Sequence, residues 1–172
     1  MLVNYMMIDS PQPILPDLPD GVEVTHDHLL AEQVQIIQTK TGYRAGSDAV
    51  LAAASLTTAR GRVLDLGAGV GGISLCIAKR LGEVQITAVE IDPVTTALAR
   101  HNVAVNGMGH RVSVINANIT AMPAVMANSF DHVISNPPYH HKDYDHRYSN
   151  IHMSYNSQPE IPLLPFGQHV YL

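Results

Sequence analysis

One decapeptide limits what this chain can fold into more than any other feature. Val63-Leu-Asp-Leu-Gly-Ala-Gly-Val-Gly-Gly72 passes from an apolar run into a cluster of glycines. Apolar residues resume beyond it at Ile73, Ile77 and Leu81, the i, i+4, i+8 spacing of one helix face. A short strand over Val63–Leu66, a glycine turn and a helix are expected in that order. Glycine admits positive φ and lets backbone approach a ligand closely. A helix opening there presents free N–H groups and the positive end of its dipole. The spacing Gly67-x-Gly69-x-x-Gly72 fits a dinucleotide fingerprint. Glycines can also serve packing alone, so the surrounding pattern has to decide.

That pattern is alternation. Val84–Val89 reads as a second strand. Pro93 stands where a helix starts, Val94, Ala97, Leu98 and Val105 form its apolar stripe, and Asn106-Gly107 ends it. Val112–Ile115 is a third strand, a short helical piece follows near 121–127, and His132–Ser135 is a fourth strand. Strand–helix repetition predicts an α/β fold, a Rossmann-like parallel sheet with helices on both faces. Ahead of it, residues 33–38 form a candidate strand, and a helix opens with Ser47 or Asp48 as N-cap. Residues 9–21 carry four prolines and three aspartates and read as irregular chain. The expected organisation is an acidic arm over 1–24, a ligand-binding domain over 25–139 and a histidine-rich tail over 140–172.

Two carboxylates flank the glycine turn. Glu90 ends the second strand, where a carboxylate can accept both hydroxyls of a ribose. Asp65 lies inside the first strand, where a dinucleotide site usually carries an apolar residue. A carboxylate there suits a cationic sulfonium and its amino group and would repel a pyrophosphate. An NAD-type and an S-adenosylmethionine-type ligand both remain open at this point, with Asp65 favouring the second. The segment His132-Val-Ile-Ser-Asn-Pro-Pro-Tyr139 then decides the matter. It places Asn136, Pro137, Pro138 and Tyr139 at the end of the fourth strand, where open α/β sheets bind ligands. The prolines stiffen the turn, and Asn136 before a proline is biased to extended backbone. The result is a fixed set of oxygen acceptors beside a flat aromatic face.

Composition narrows the classes further. Of 172 residues, 46% are hydrophobic and 15% charged, too apolar for a disordered chain. Cys76 is the single cysteine, so no intrachain disulfide forms, and it reads as a small core residue. No apolar run reaches the roughly 18 residues of a membrane span. No Lys or Arg precedes Lys40, unlike the basic start of a signal peptide, so a cytoplasmic location is expected. The net charge of −5 does not advertise nucleic-acid binding. Residues 40–62 nevertheless carry Lys40, Arg44, Arg60 and Arg62 against Asp48 alone, the segment best suited to meet a polyanion.

Together these motifs resemble class I S-adenosylmethionine-dependent methyltransferases of the amino-methylating type, with Asn-Pro-Pro-Tyr as signature. The segment Thr41-Gly-Tyr-Arg-Ala-Gly-Ser-Asp-Ala-Val-Leu-Ala-Ala-Ala54 is similar to the bacterial tRNA1(Val) adenine-37 N6-methyltransferase family, and the resemblance covers residues 25–139. It implies methylation of an exocyclic adenine amine in RNA, with tRNA the foremost candidate. Asn136 Oδ1 and the Pro137 carbonyl would accept the two N–H groups of the amine, and Tyr139 would stack on the base. Asp65, Gly67 and Gly69 would line the methionine end of S-adenosylmethionine, Glu90 would hold its ribose, and Ile91 would pack on its adenine. An acid usual after the third strand is replaced by Asn118, whose amide oxygen would read the adenine amine. No metal is implied. His140, His141 and His146 have no cysteine near them, and nitrogen methylation needs no metal.

The resemblance also implies further strands, whereas 33 residues follow Tyr139. The chain is therefore expected to be truncated, with the fourth strand an open sheet edge prone to self-association, partly covered by Ile161–Phe166 and His169–Leu172. Alternative functions are a catalytically silent fragment, a protein-glutamine or DNA-adenine methyltransferase sharing the signature, and an NAD-dependent oxidoreductase, which would give residues 136–139 no role.

Overall fold

The computed structural model describes residues 13–121 and 129–136, and the backbone of 169–171. Residues 13–23 form no helix or strand. The elements that follow are β1 (Val24–Leu29), β2 (Val34–Thr39), α1 (Ser47–Ser55), β3 (Gly61–Leu66), α2 (Gly72–Arg80), β4 (Val84–Glu90), α3 (Pro93–Val105), β5 (Val112–Asn116), β6 (His132–Ser135) and β7 (His169–Tyr171). β1 and β2 make an antiparallel hairpin. The other strands form one parallel sheet in the order β5-β4-β3-β6-β7. The chain steps outward from β3 through β4 to β5, then returns to the opposite side of β3 as β6. That reversal opens a crevice beyond the C-terminal ends of β3 and β6.

The four strands expected at 63–66, 84–89, 112–115 and 132–135 are all present, each within two residues of its expected bounds. The alternation predicts helices on both faces. Among the described residues, α1, α2 and α3 instead share one face with the hairpin. Ala49, Ala53, Leu75, Ile77, Leu98 and Val103 pack there with Ile36, Val63, Ile86, Val112 and Ile134. The other face gathers Leu64, Val89, Phe130 and Val133. The helical piece near 121–127 lies almost wholly outside the described residues.

Three local expectations are corrected. β6 is not an open sheet edge: β7, within the cover expected at His169–Leu172, pairs with it in parallel, His132 opposite His169 and Ile134 opposite Tyr171. The N-cap of α1 is Gly46, with no side-chain cap; Asp48 Oδ1 instead accepts the Gly46 N–H at 3.0 Å from within the first turn. The buried face of α3 is centred on Thr96, Leu98, Ala99, Asn102 and Val103, while Val94, Ala97 and Val105 lie at its margins. Asn102 is the reason for that offset. Fully buried, it accepts the Ile37 N–H at 2.7 Å and donates to the carbonyls of Ile37 and Val70 at 2.9 and 3.0 Å. One side chain thus ties the hairpin, the glycine loop and α3 together. Cys76 is buried in the core, where burial pushes its thiol up to about 11.

Candidate active site

In the register between β3 and β6, Leu66 lies opposite Ser135. Gly67 and Asn136, the next residue of each strand, therefore leave the sheet side by side. Gly67 turns at once: its N–H and that of Ala68 both donate to the Val89 carbonyl, at 2.9 and 3.0 Å. Gly67 and Gly69 hold φ values of +69° and +57°, and a Cβ at either would meet nothing within 4 Å. Their requirement is the left-handed backbone, and the space beside them is free for a ligand. Gly72 differs, because a Cβ there would stand 2.8 Å from Ala45 Cβ and 3.3 Å from Ala49 Cβ. The third glycine of the fingerprint lets α2 pack against α1.

Glu90 closes the turn from the β4 side. Its Oε2 accepts the Gly69 N–H at 2.9 Å and its Oε1 the Asp92 N–H at 2.8 Å. The carboxylate is fixed by backbone, and each oxygen keeps lone pairs for a further donor. Asn116 braces the same strand end, its Nδ2 donating to the carbonyls of Glu90 and Ile91 at 3.0 and 2.9 Å. Ile91 is 42% exposed, an apolar side chain left at the mouth of the site. Asn118 is also exposed, and its Oδ1 already accepts the N–H and hydroxyl of Thr120, at 2.9 and 2.8 Å.

Asp65 is the most perturbed group of the site. It is wholly buried in β3. Ser74, reaching back from α2, donates to its Oδ2 at 2.7 Å, and its Oδ1 has no hydrogen-bond partner among the described residues. Burial raises its carboxyl to about 6; the Ser74 bonds oppose that rise and the nearby Glu90 charge adds to it. An ionised oxygen with no donor, beside an open glycine turn, is suited to a cationic ligand.

Asn136 is half-buried and reaches across to the segment before α1. Its Nδ2 donates to the Tyr43 hydroxyl at 2.7 Å and to Asp48 Oδ2 at 2.8 Å. The Tyr43 hydroxyl in turn donates to Asp48 Oδ2. Burial pushes the Tyr43 phenol well above its usual range, and the adjacent carboxylate adds to this. Burial would also raise Asp48, but the donors from Tyr43, Ala49, Gly46 and Asn136 outweigh it and hold the group below the usual carboxylate range. Tyr43 and Asp48 belong to the segment that carries the family resemblance, yet sequence reasoning gave neither a role in the site. Ser74 and Asn116 also escaped it. Pro137, Pro138 and Tyr139 lie outside the described residues, as do His140, His141 and His146.

The basic stretch over 40–62 is mostly neutralised. Lys40 pairs with Glu23 at 2.8 Å, Arg44 with Asp27 at 2.8 Å and Arg60 with Glu83 at 3.2 Å. Among the described residues, no cluster of His, Cys, Asp or Glu has metal-site geometry, and no helix is long and apolar enough to cross a membrane.

A Rossmann-like parallel sheet, a glycine turn bounded by Asp65 and Glu90, and an asparagine at the adjoining strand end define a class I methyltransferase domain. The chain belongs to the methyltransferase small domain family, whose model matches residues 39–154. It is 38% identical over 110 residues to a tRNA1(Val) (adenine(37)-N6)-methyltransferase of Erwinia tasmaniensis, covering 63% of this chain and 45% of that protein. A protein of the same name from Porphyromonas gingivalis is 33% identical over 116 residues, covering 63% and 46%. The chain thus spans about half the length of these relatives. Among solved structures, P. horikoshii TYW2 in complex with MeSAdo aligns with a TM-score of 0.54 at 25% identity, covering 64% of this chain and 41% of that one. A SAM-dependent methyltransferase from Agrobacterium tumefaciens shares the fold, with a TM-score of 0.55 at 18% identity, covering 67% and 40%.

Proposed function

We propose that this protein transfers a methyl group from S-adenosylmethionine to the exocyclic amine of an adenine in RNA, with tRNA as substrate. The observation that carries the reading is the juxtaposition of Gly67 and Asn136 at neighbouring strand ends. It sets a cofactor turn beside an amide that can accept the N–H of an amine. The names of the relatives supply the adenine and the tRNA.

The residues fit the cofactor. The buried Asp65 carboxylate gives the turn a negative charge that suits a positive group, the turn at Gly67 and Gly69 leaves room for a ligand, and Glu90 retains lone pairs for ribose hydroxyls. Ile91 offers an apolar surface for its adenine ring, and Asn118 stands at the β5 end of the same crevice. When bound, S-adenosylmethionine would supply an electrophilic methyl group on a sulfonium; the sulfur becomes a neutral thioether, and the amine, on gaining the methyl, gives up one N–H proton to solvent. The protein's part is to prepare the nitrogen. The lone pair of an adenine amine is delocalised into the ring. Hydrogen bonds from the amine to Asn136 Oδ1 and the Pro137 carbonyl favour a pyramidal nitrogen and aim its lone pair. Tyr139 stacks on the base, worth about 1–3 kcal/mol. Catalysis here is positioning and electrostatics.

The test measures transfer of labelled methyl from S-adenosylmethionine to bulk tRNA, duplex DNA and a release-factor-like protein. Cofactor affinity is measured separately by calorimetry. Label in tRNA is expected, and Asn136→Ala should abolish it while leaving cofactor affinity within about twofold. Label only in DNA or protein would move the substrate class, and full turnover by the variant would remove Asn136 from the chemistry.

A further inference from the structure

Asn136 can accept an amine only if its amide faces the right way. An asparagine side chain turned by 180° would present donors where the amine needs an acceptor. The structure contains a device that prevents this. Nδ2 is held by two acceptors, the Tyr43 hydroxyl oxygen and Asp48 Oδ2, and the Tyr43 hydroxyl donates its own proton to the same Asp48 oxygen. Tyr43 therefore has only acceptor capacity left for Asn136, and an ionised Asp48 can only accept. A flipped amide would set its oxygen against two acceptors. Among the described residues, nothing donates to Oδ1, which is left for a ligand.

The two partners are themselves fixed. Gly42, at φ +94°, turns the chain after β2. Arg44 anchors the turn back onto the hairpin through Thr25 Oγ1, the Thr39 carbonyl and Asp27 Oδ2, at 2.9, 2.8 and 2.8 Å. The buried Gln38 amide holds Ala45 at both its N–H and its carbonyl, at 2.9 and 3.3 Å. Tyr43 thus sits between the Gly42 turn and two pinned residues, and Asp48 occupies the first turn of α1. We propose that Tyr43 and Asp48 are positioning residues. They lock the Asn136 amide with Oδ1 toward the substrate amine, and the Asp48 charge polarises the amide so that Oδ1 is a stronger acceptor. The inference rests on the N-methyltransferase reading, in which Asn136 meets the amine.

Two measurements test it on the full chain, using Asp48→Asn and Tyr43→Phe. The first follows the Asn136 side-chain NH2 pair by 15N–1H spectroscopy, assigned by its loss in Asn136→Ala. In the native chain this pair should exchange slowly with water. Asp48→Asn, which removes the charged acceptor, should speed the exchange by roughly tenfold or more, and Tyr43→Phe, which removes the neutral hydroxyl acceptor, by less. The second is methyl transfer to tRNA. Asp48→Asn should lower kcat by roughly tenfold to a hundredfold and Tyr43→Phe by less, with the dissociation constant for S-adenosylmethionine unchanged. A merely structural role would move cofactor affinity along with kcat. Unprotected amide hydrogens in the native chain, or protection unchanged in both variants, would overturn the lock. Protection lost with kcat intact would overturn its role in the reaction. If the native chain labels no acceptor, the proposed function fails on its own, and the amide exchange still decides the lock.

Discussion

Replacing Asp65 with asparagine isolates the energetic effect of holding a carboxylate inside β3. The native group is wholly buried and lifted from 3.8 to about 6, chiefly by burial. Above pH 6 the folded chain carries a charge that the unfolded chain solvates better. At ~1.4 kcal/mol for each tenfold change in proton affinity, that lift amounts to about 3 kcal/mol. The sign follows from the direction of the lift. The penalty is fully present above about pH 6 and shrinks as pH falls and the native carboxyl takes up its proton. It is gone below 3.8, where both states are protonated. The substituted amide does not titrate, so its own hydrogen bonds add a constant at every pH. Urea unfolding of both proteins from pH 8 to pH 4 therefore gives a difference whose pH dependence belongs to the charge alone. The variant should gain about 2 kcal/mol or a little more on the native chain at pH 8 relative to pH 4, where a small part of the penalty still remains. Two curves running parallel across that range would show that Asp65 is not a strained carboxylate.

Two further substitutions test the packing around the site. Gly72→Ala places a methyl 2.8 Å from Ala45 Cβ and should destabilise by about 1–3 kcal/mol, the usual range for overpacking; a denaturation midpoint equal to the native one would show that α1 yields freely. Asn102→Leu strips partners from the Ile37 N–H and from the carbonyls of Ile37 and Val70. It should destabilise by at least about 2 kcal/mol, with hydrogen exchange rising first in β2. Native-like protection of the Ile37 amide would mean that another group replaces the asparagine.

The part of this fold that the sequence declares openly is the part built from local pattern. The glycine turn, the runs at 84–89 and 132–135, and Pro93 at the head of α3 each announce an element within a few residues. β1 escapes such reading because Leu29 is its only buried side chain, so it carries no alternation to detect. The α3 stripe is misplaced by periodicity because its central buried position holds Asn102, a polar residue that satisfies the backbone of two other segments. In the site, Asp65, Gly67 and Glu90 stand out by their place on strand ends. Tyr43 and Asp48 do not, because their partner is 93 and 88 residues away in sequence. The available signal was a tyrosine and an aspartate five residues apart, following a glycine, just ahead of the first parallel strand.

The same strain in Asp65 sets how ligand binding should depend on pH. In the free protein the carboxyl holds its proton up to about pH 6. A cationic ligand seated in the glycine turn beside this buried carboxylate favours the ionised form, so binding below pH 6 must expel a proton. Affinity for S-adenosylmethionine should accordingly be level above about pH 7 and fall toward a tenfold loss per unit below about 6. Calorimetry in two buffers of unlike ionisation enthalpy would count the proton directly, close to one at about pH 5 and near zero at about pH 8. Asp65→Asn should flatten this dependence and weaken binding at pH 8, where the native charge is fully developed. A native affinity unchanged between pH 8 and pH 5 would separate Asp65 from the cationic end of the ligand, and its buried charge would then have no counterpart in the site.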